Sequence, residues 1–322
     1  MTPLPPLRFR PIFRDYLWGG QRLTELGKNL GGAERIAESW EIVDHGADQS
    51  IVANGPLAGQ SLHQLVTEQG PALMGRHAGR AQFPLLLKFL DCQKTLSVQV
   101  HPNDAQAAKL DPPDLGKTEA WVILAADSGS KLYAGLKEGV GRKELASAVA
   151  RGKCDECLHE FEPHVGDCVL IEAGTVHALG AGLLVAEIQQ SSDTTYRLFD
   201  WNRIDRDGKP RELHIEQALG VIDFARGPVA PVRPSATSSP GVERLVTCDK
   251  FILDRKTISS VQTVSGSNEF HILAVVAGDV ALHSSSGKES LRRGDTVLIP
   301  ASTGGMKIAG QGDGVVLDMY LP

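Results

Sequence analysis

The chain has 322 residues, 42% of them hydrophobic and 22% charged, with a formal net charge of −6. That length exceeds what one compact core usually accommodates, so two domains are expected. The composition is that of an ordinary globular protein, and the acidic balance argues against a general nucleic-acid binder. No run reaches the roughly 18 apolar residues of a membrane helix. The start of the chain carries Arg8, Arg10, Arg14 and Asp15 and lacks the apolar stretch of a secretory signal. Cysteines at 92, 154, 157, 168 and 248 form an odd, sparse set. They suit a reduced, cytoplasmic setting better than a disulfide framework.

Short β-like runs punctuated by glycine and proline dominate the chain, which favours sandwiches or barrels. Strands are expected over 39–43 and 85–90, with a helix from 62 to 69 or beyond between them. Thr95-Leu96-Ser97-Val98-Gln99-Val100-His101 alternates polar and apolar residues. Ser97, Gln99 and His101 therefore share one strand face, and Leu96, Val98 and Val100 the other. Pro102 ends that strand and opens a helix over 103–110. Residues 117–124 read as a strand with Lys117 and Glu119 on one face, and 142–150 as a helix. Cys154 and Cys157 have C-x-x-C spacing but no second pair, and a closed zinc site needs four ligands. Residues 166–177 read as a strand, a tight turn and then His177. The strand 183–189 presents Glu187 and Gln189 on one face, and a helix is expected over 212–224.

Gln99, His101, Glu119 and His177 together offer two nitrogen and two oxygen ligands. That set suits a divalent, zinc-like ion with room left for water or substrate. The alternative is a solvated strand face with hydrogen-bonded histidines. Residues 226–241 are dense in Pro, Ser and Gly and mark a linker. Beyond it, Gly294 to Ala301 echoes Gly166 to Ala173 at an offset of 128 residues (294 − 166), with Gly305 at the position matching His177. The expected division is a catalytic unit over 1–225, a linker over 226–241, and a degenerate sandwich without the metal ligand over 242–322.

Gly166 to His177 has the form Gly-x5-Glu-x-Gly-x-x-His and resembles the second motif of the cupin superfamily, with Glu172 where proline is usual. Other blocks narrow the likeness: Tyr16-Leu17-Trp18-Gly19-Gly20, Ala37-Glu38-Ser39-Trp40, Gln99-Val100-His101-Pro102-Asn103-Asp104, Gly116-Lys117-Thr118-Glu119, Gly174-Thr175-Val176-His177-Ala178-Leu179-Gly180 and the run from Glu187 to Arg197. In order and spacing these resemble the type I mannose-6-phosphate isomerases, from about residue 10 to 225 and more weakly beyond. Only 58 residues separate Glu119 from His177 (177 − 119), as in the short bacterial form.

The resemblance implies a mainly β fold of cupin-type jelly-roll sandwiches in tandem, with a few short helices. It implies a metal-dependent aldose–ketose isomerase that interconverts mannose 6-phosphate and fructose 6-phosphate through an enediol(ate). One divalent ion, zinc by preference, would sit on Gln99, His101, Glu119 and His177. Glu187 and Arg197 match residues lining the family's active site, and Lys88 and Ser97 match positions proposed to hold the phosphate. Arg197 is assigned to charge stabilisation or substrate orientation, because a carboxylate beside an arginine stays ionised. The carbon base stays open among Glu187, Lys117 and a metal-bound water. Arg203 is a further cation for the phosphate, since no P-loop or dinucleotide fingerprint is present. Trp18 and Trp40 would floor a sugar pocket or simply fill the core, and Glu38 is a further candidate carboxylate. The other eight histidines read as surface or packing residues. The expected partner is a small sugar phosphate, with neither nucleic acid nor membrane, and the oligomeric state stays open. The alternatives are a non-catalytic or differently specific sugar-phosphate-binding cupin and a cupin oxygenase. Gln99 in place of a histidine, with lysine and arginine near the site, points away from the oxygenase.

Overall fold

Leu85–Cys92 and Leu183–Gln190 are buried along their whole length, as strands covered on both faces must be. They pair antiparallel without a break, from Leu183 opposite Cys92 to Gln190 opposite Leu85. The computed structural model, which describes residues 3–204, 208–264, 268–284, 287–310 and 314–322, builds a six-stranded sheet around this pair. Its order is Cys168–Ile171, Glu119–Ala126, Leu183–Gln190, Leu85–Cys92, Glu38–Ile42 and Ile12–Arg14. A five-stranded sheet accompanies it, ordered Leu158–Phe161, Leu132–Leu136, His177–Leu179, Val98–Val100 and Tyr196–Phe199. Leu90, Trp121, Ile123 and Val185 of the first sheet and Leu132, Ala134 and Leu179 of the second share one core, so the two form a sandwich.

The alternation over 95–101 explains how the second sheet is covered. Val98 and Val100 pack with Leu145, Ala148, Ala218 and Leu219, beneath the helices Arg142–Ala150 and Ile215–Val221. The polar face of the same strand is left for the sandwich interior. Three elements differ from expectation. The ladder is only Val98–Val100, because proline at 102 offers no N–H. The helix expected over 103–110 is Asp104–Ala107, capped by Asn103, and residues 108–110 continue as turns and a bend. The helix expected from 212 starts at Ile215, because the Glu212 carbonyl and the His214 N–H are both bonded to Arg197.

The described residues between 242 and 320 form a second sandwich with its own core of Leu273, Val275, Val297, Leu282, Leu291 and Ile308. The echo seen in the sequence is a match of register. Ile171 lies opposite Glu119 in the first unit, and Ile299 lies opposite His271 in the second. By the same register Asp318, opposite Leu273, stands where Glu187 stands opposite Trp121. His271, expected to be a surface or packing residue, is buried, with Nδ1 2.8 Å from Asp318 Oδ1. Lys256 Nζ lies 2.7 Å from the other oxygen.

The sandwiches pack back to back through their six-stranded sheets. Leu73, Met74 and Phe89 join Phe251, Ile272 and Leu298 in one core, and the rings of Phe83 and Phe270 lie 4.7 Å apart. Leu7 exchanges both backbone hydrogen bonds with Leu298, at 2.8 and 2.9 Å. The 226–241 segment is held against the first sandwich, with Val229 N–H bonded to Ala134 O and Val232 N–H to Cys168 O. At the junction, buried Glu41 accepts hydrogen bonds from Ser39 Oγ at 2.5 Å, Lys28 Nζ at 2.7 Å and Thr296 Oγ1 at 3.0 Å.

Glu41→Ala should lower the unfolding free energy by about 3–5 kcal/mol, because it strands the mostly buried Lys28 ammonium; urea unfolding checks this. A second expectation concerns acid. Burial pushes the Asp318 carboxyl up, but His271 and Lys256 outweigh it and hold it at about 2. Its folded value is below the about 3.9 of an unfolded Asp. The stabilisation is therefore complete above pH ~4 and is lost as pH falls towards ~2. Asp318→Asn should cost about 2 kcal/mol at pH 7, and unfolding curves of the two proteins should converge as the pH drops through that window.

Candidate active site

The interior faces of the two sheets of the first sandwich enclose a cavity of about 280 Å³, near the small end of ligand sites. The six-stranded sheet contributes Glu38, Lys88, Trp121 and Glu187 to its lining, Lys117 stands just before that sheet's strand Glu119–Ala126, and the other wall carries Ser97, Gln99 and Arg197. Period-two alternation places them together: Lys88 is the cross-strand partner of Glu187, which is also the partner of Trp121. On the other sheet Gln99 lies opposite His177 on one side and Arg197 on the other.

Beneath the cavity lie His101, Glu119 and His177, each about 1% exposed or less. One ligand atom from each falls within 4.8 Å of the others, and no other such cluster of His, Cys, Asp and Glu occurs among the described residues. His101 Nδ1 is 3.0 Å from Thr194 O, and His177 Nδ1 is 2.9 Å from Thr175 O. A carbonyl only accepts, so each Nδ1 carries the proton and each Nε2 presents a lone pair to the cluster. Burial lowers both imidazoles, His177 to about 4 and His101 well below its ordinary value, so both are neutral at pH 7. His101 Nε2 and both carboxylate oxygens of Glu119 are buried without a hydrogen-bond partner. The distances from Glu119 to His101 Nε2 and His177 Nε2 are 3.5 and 3.4 Å. Orphaned acceptors at this density are costly unless a cation satisfies them, and the donor set fits a divalent ion. The Gln99 amide is 3.2 Å from His177 Nε2 and completes the set once its oxygen faces inward.

Around this cradle the charges interlock. Lys117 Nζ lies 3.4 Å from Glu119. Burial raises the Glu119 carboxyl against the pull of Lys117 and Lys88. Lys88 Nζ lies 3.6 Å from both Glu38 and Glu187. Burial alone would lower its ammonium, but the two carboxylates outweigh it and hold it above its ordinary value. Glu187 is pushed up by burial and by Glu119, and is opposed by Lys88, Lys117 and a 2.9 Å hydrogen bond from Trp121 Nε1.

Several residues sit differently from expectation. The cation paired with Glu187 is Lys88. Arg197 instead donates to Glu212 O at 2.8 Å, and its Nε is buried without a partner. Burial and neighbouring Arg211 lower the Arg197 guanidinium. Arg203 does not line the cavity; it is bound to Asp200 and to Thr95 O, in an adjoining hollow with Lys94 and Arg35. Trp18 lines the cavity, whereas Trp40 is fully buried and holds Glu38 through a 2.5 Å hydrogen bond. Tyr16, Asp193, Thr195 and Arg211 line the cavity without having been singled out. Tyr16, Asp193 and Thr195 fall inside the motif blocks, which was the available signal, whereas Arg211 had none. Cys154 and Cys157 are free and buried, which pushes both thiols up.

Comparisons with known proteins identify the family. Residues 7–133 match the family model described as phosphomannose isomerase type I, catalytic domain, and 242–318 match mannose-6-phosphate isomerase, cupin domain. Mannose-6-phosphate isomerase ManA of Bacillus subtilis (strain 168) is 35% identical over 315 residues, covering 97% of this chain and 98% of the relative. The mannose-6-phosphate isomerase of Streptococcus mutans is 35% identical over 298 residues, 92% of each chain. Among solved structures, the mannose 6-phosphate isomerase from Bacillus subtilis superposes with a TM-score of 0.89 at 29% identity, covering 98% of this chain and 99% of that one. A variant of phosphomannose isomerase from Salmonella typhimurium, at 17% identity and a TM-score of 0.77, supports the fold alone. With a relative this similar along nearly its whole length, the chain belongs to the type I mannose-6-phosphate isomerases.

Proposed function

We propose that this chain interconverts mannose 6-phosphate and fructose 6-phosphate, with residues 1–225 as the catalytic unit, 226–241 as the connection and 242–322 as a supporting unit. The observation that carries the reading is the buried His101, Glu119 and His177 cluster, whose free lone pairs lie under a cavity lined by Lys88, Lys117, Arg197 and Arg211. A divalent ion, zinc by preference, held by Gln99, His101, Glu119 and His177 supplies Lewis-acid stabilisation of the charge that develops on the sugar oxygens.

The remaining steps fall to the chain's own side chains. Glu187 is our choice for the carbon base. It lines the cavity, is fixed by Trp121 and Lys88, and burial raises its carboxyl; a positioned carboxylate is a competent general base. It takes the proton from C2 of the aldose to leave an enediolate and returns it to C1. Lys117 is placed to move the proton between the two oxygens. Arg197, one strand from Gln99, has unspent donors for negative charge at the reacting end. Ser97 and Arg211 serve the phosphate: both arginines pair with Asp200, but Arg211 lines the cavity and Arg203 does not. Five free cysteines support a reducing, cytoplasmic setting. Among the described residues no helix is long and apolar enough to cross a membrane.

A coupled assay for fructose 6-phosphate tests the proposal. Mannose 6-phosphate should be converted, free mannose should not, and a chelator should abolish turnover until zinc is restored. Full activity in protein shown by elemental analysis to hold no metal would overturn the metal assignment. Glu187→Gln should lower kcat by about 10²–10⁴-fold with little change in KM. Arg197→Ala should lower kcat by about 10²–10³-fold; a rise in KM alone would make it a phosphate clamp.

A further inference from the structure

His101 is oriented from outside the cluster by a carboxylate that no step above employs. Its Nδ1–H donates to the carbonyl of Thr194. Thr194 Oγ1 donates to Asp114 Oδ2 at 2.6 Å, and Ser192 Oγ donates to the same oxygen at 2.8 Å. Asp114 Oδ1 accepts the Leu115 N–H at 2.7 Å and lies 3.1 Å from His45 Nε2. Burial raises this carboxyl, but the four donors outweigh it and hold it well below the usual carboxylate range.

The position of Asp114 in the chain gives these bonds their meaning. The segment 102–117 has His101 immediately before it and Lys117 at its end. The segment 191–195 supplies Thr194 and the cavity residues Asp193 and Thr195. Asp114 joins the two. We propose that Asp114 is a positioning residue for the metal cradle: by gripping the Ser192 and Thr194 hydroxyls it fixes the Thr194 carbonyl, which fixes the His101 tautomer and ring and so aims Nε2 at the ion. This rests on the metal reading above, and the experiment separates the two.

Full-length protein is reconstituted with cobalt(II) and followed by its visible absorption, by chelator competition for the metal and by thermal unfolding. Asp114→Ala and Thr194→Ala should each weaken metal retention about 10–100-fold and alter the cobalt spectrum. Thr194→Ser, which keeps the hydroxyl, should restore both. The double alanine variant should lose little more than the worse single one, because both act through one bond. Glu269→Gln breaks the remote ion pair with Arg76 and should lower the melting temperature without touching the spectrum. If Asp114→Ala fails to fold, the Thr194→Ala and Thr194→Ser pair decides. Variants that melt earlier yet hold cobalt as wild type does would overturn the proposal. A wild-type protein that takes up no cobalt would overturn the metal reading itself.

Discussion

Charge neutralisation inside a doubly covered sheet is the constraint from which the site follows. Glu38, Lys88, Glu119 and Glu187 project from one face of a sheet whose other face is packed against a second sandwich. All four are at least nine-tenths buried, and an unpaired buried charge costs several kcal/mol. Lys88 answers two of the carboxylates, and Trp40 and Trp121 each donate an indole N–H to one of them. Glu119 has Lys117 beside it and no hydrogen-bond donor on either oxygen. The sheet thus arrives at a local deficit of positive charge, and two neutral imidazoles stand next to it.

What could be read in the sequence is what depends on strand period. Alternation over 95–101 and 183–189 correctly sorts Gln99 and Glu187 onto interior faces, because a one-residue slip would bury the wrong side chains. Loop chemistry is another matter. Nothing near Arg203 reveals that Asp200 and the Thr95 carbonyl will take its guanidinium. Nothing near Glu212 reveals that Arg197 will delay the helix. Both outcomes are set by groups distant in the chain. Trp40 illustrates the same limit from the core side: its place in a motif block says that it matters, while its depth depends on the neighbouring strand, where Lys88 stands opposite it.

The second sandwich repeats the register of the first with different chemistry. Where Glu119 and Glu187 stand in one, His271 and Asp318 stand in the other, and the Lys256 ammonium, at 2.7 Å, already balances the carboxylate. That pocket of charge is closed on itself. The unit still touches the working site: Lys250 Nζ reaches Asp104 Oδ2 at 2.7 Å, and Asp104 Oδ1 holds the Gly116 N–H and the Gln190 amide at 2.8 Å each. One side of the segment that ends in Lys117 is therefore braced from the neighbouring unit.

The pairing of Leu7 with Leu298 has a consequence for synthesis. A nascent chain cannot make that contact until Leu298 has left the ribosome. Until then the outward face of the first sheet, with Leu85, Leu87, Phe89, Ala186 and Ile188, lacks the part of its cover that Phe251, Ile272 and Leu298 supply. A prematurely terminated chain would carry its ligand residues and still present a broad apolar surface to other chains. Synthesis must pass Leu298 before the first sandwich is shielded from aggregation.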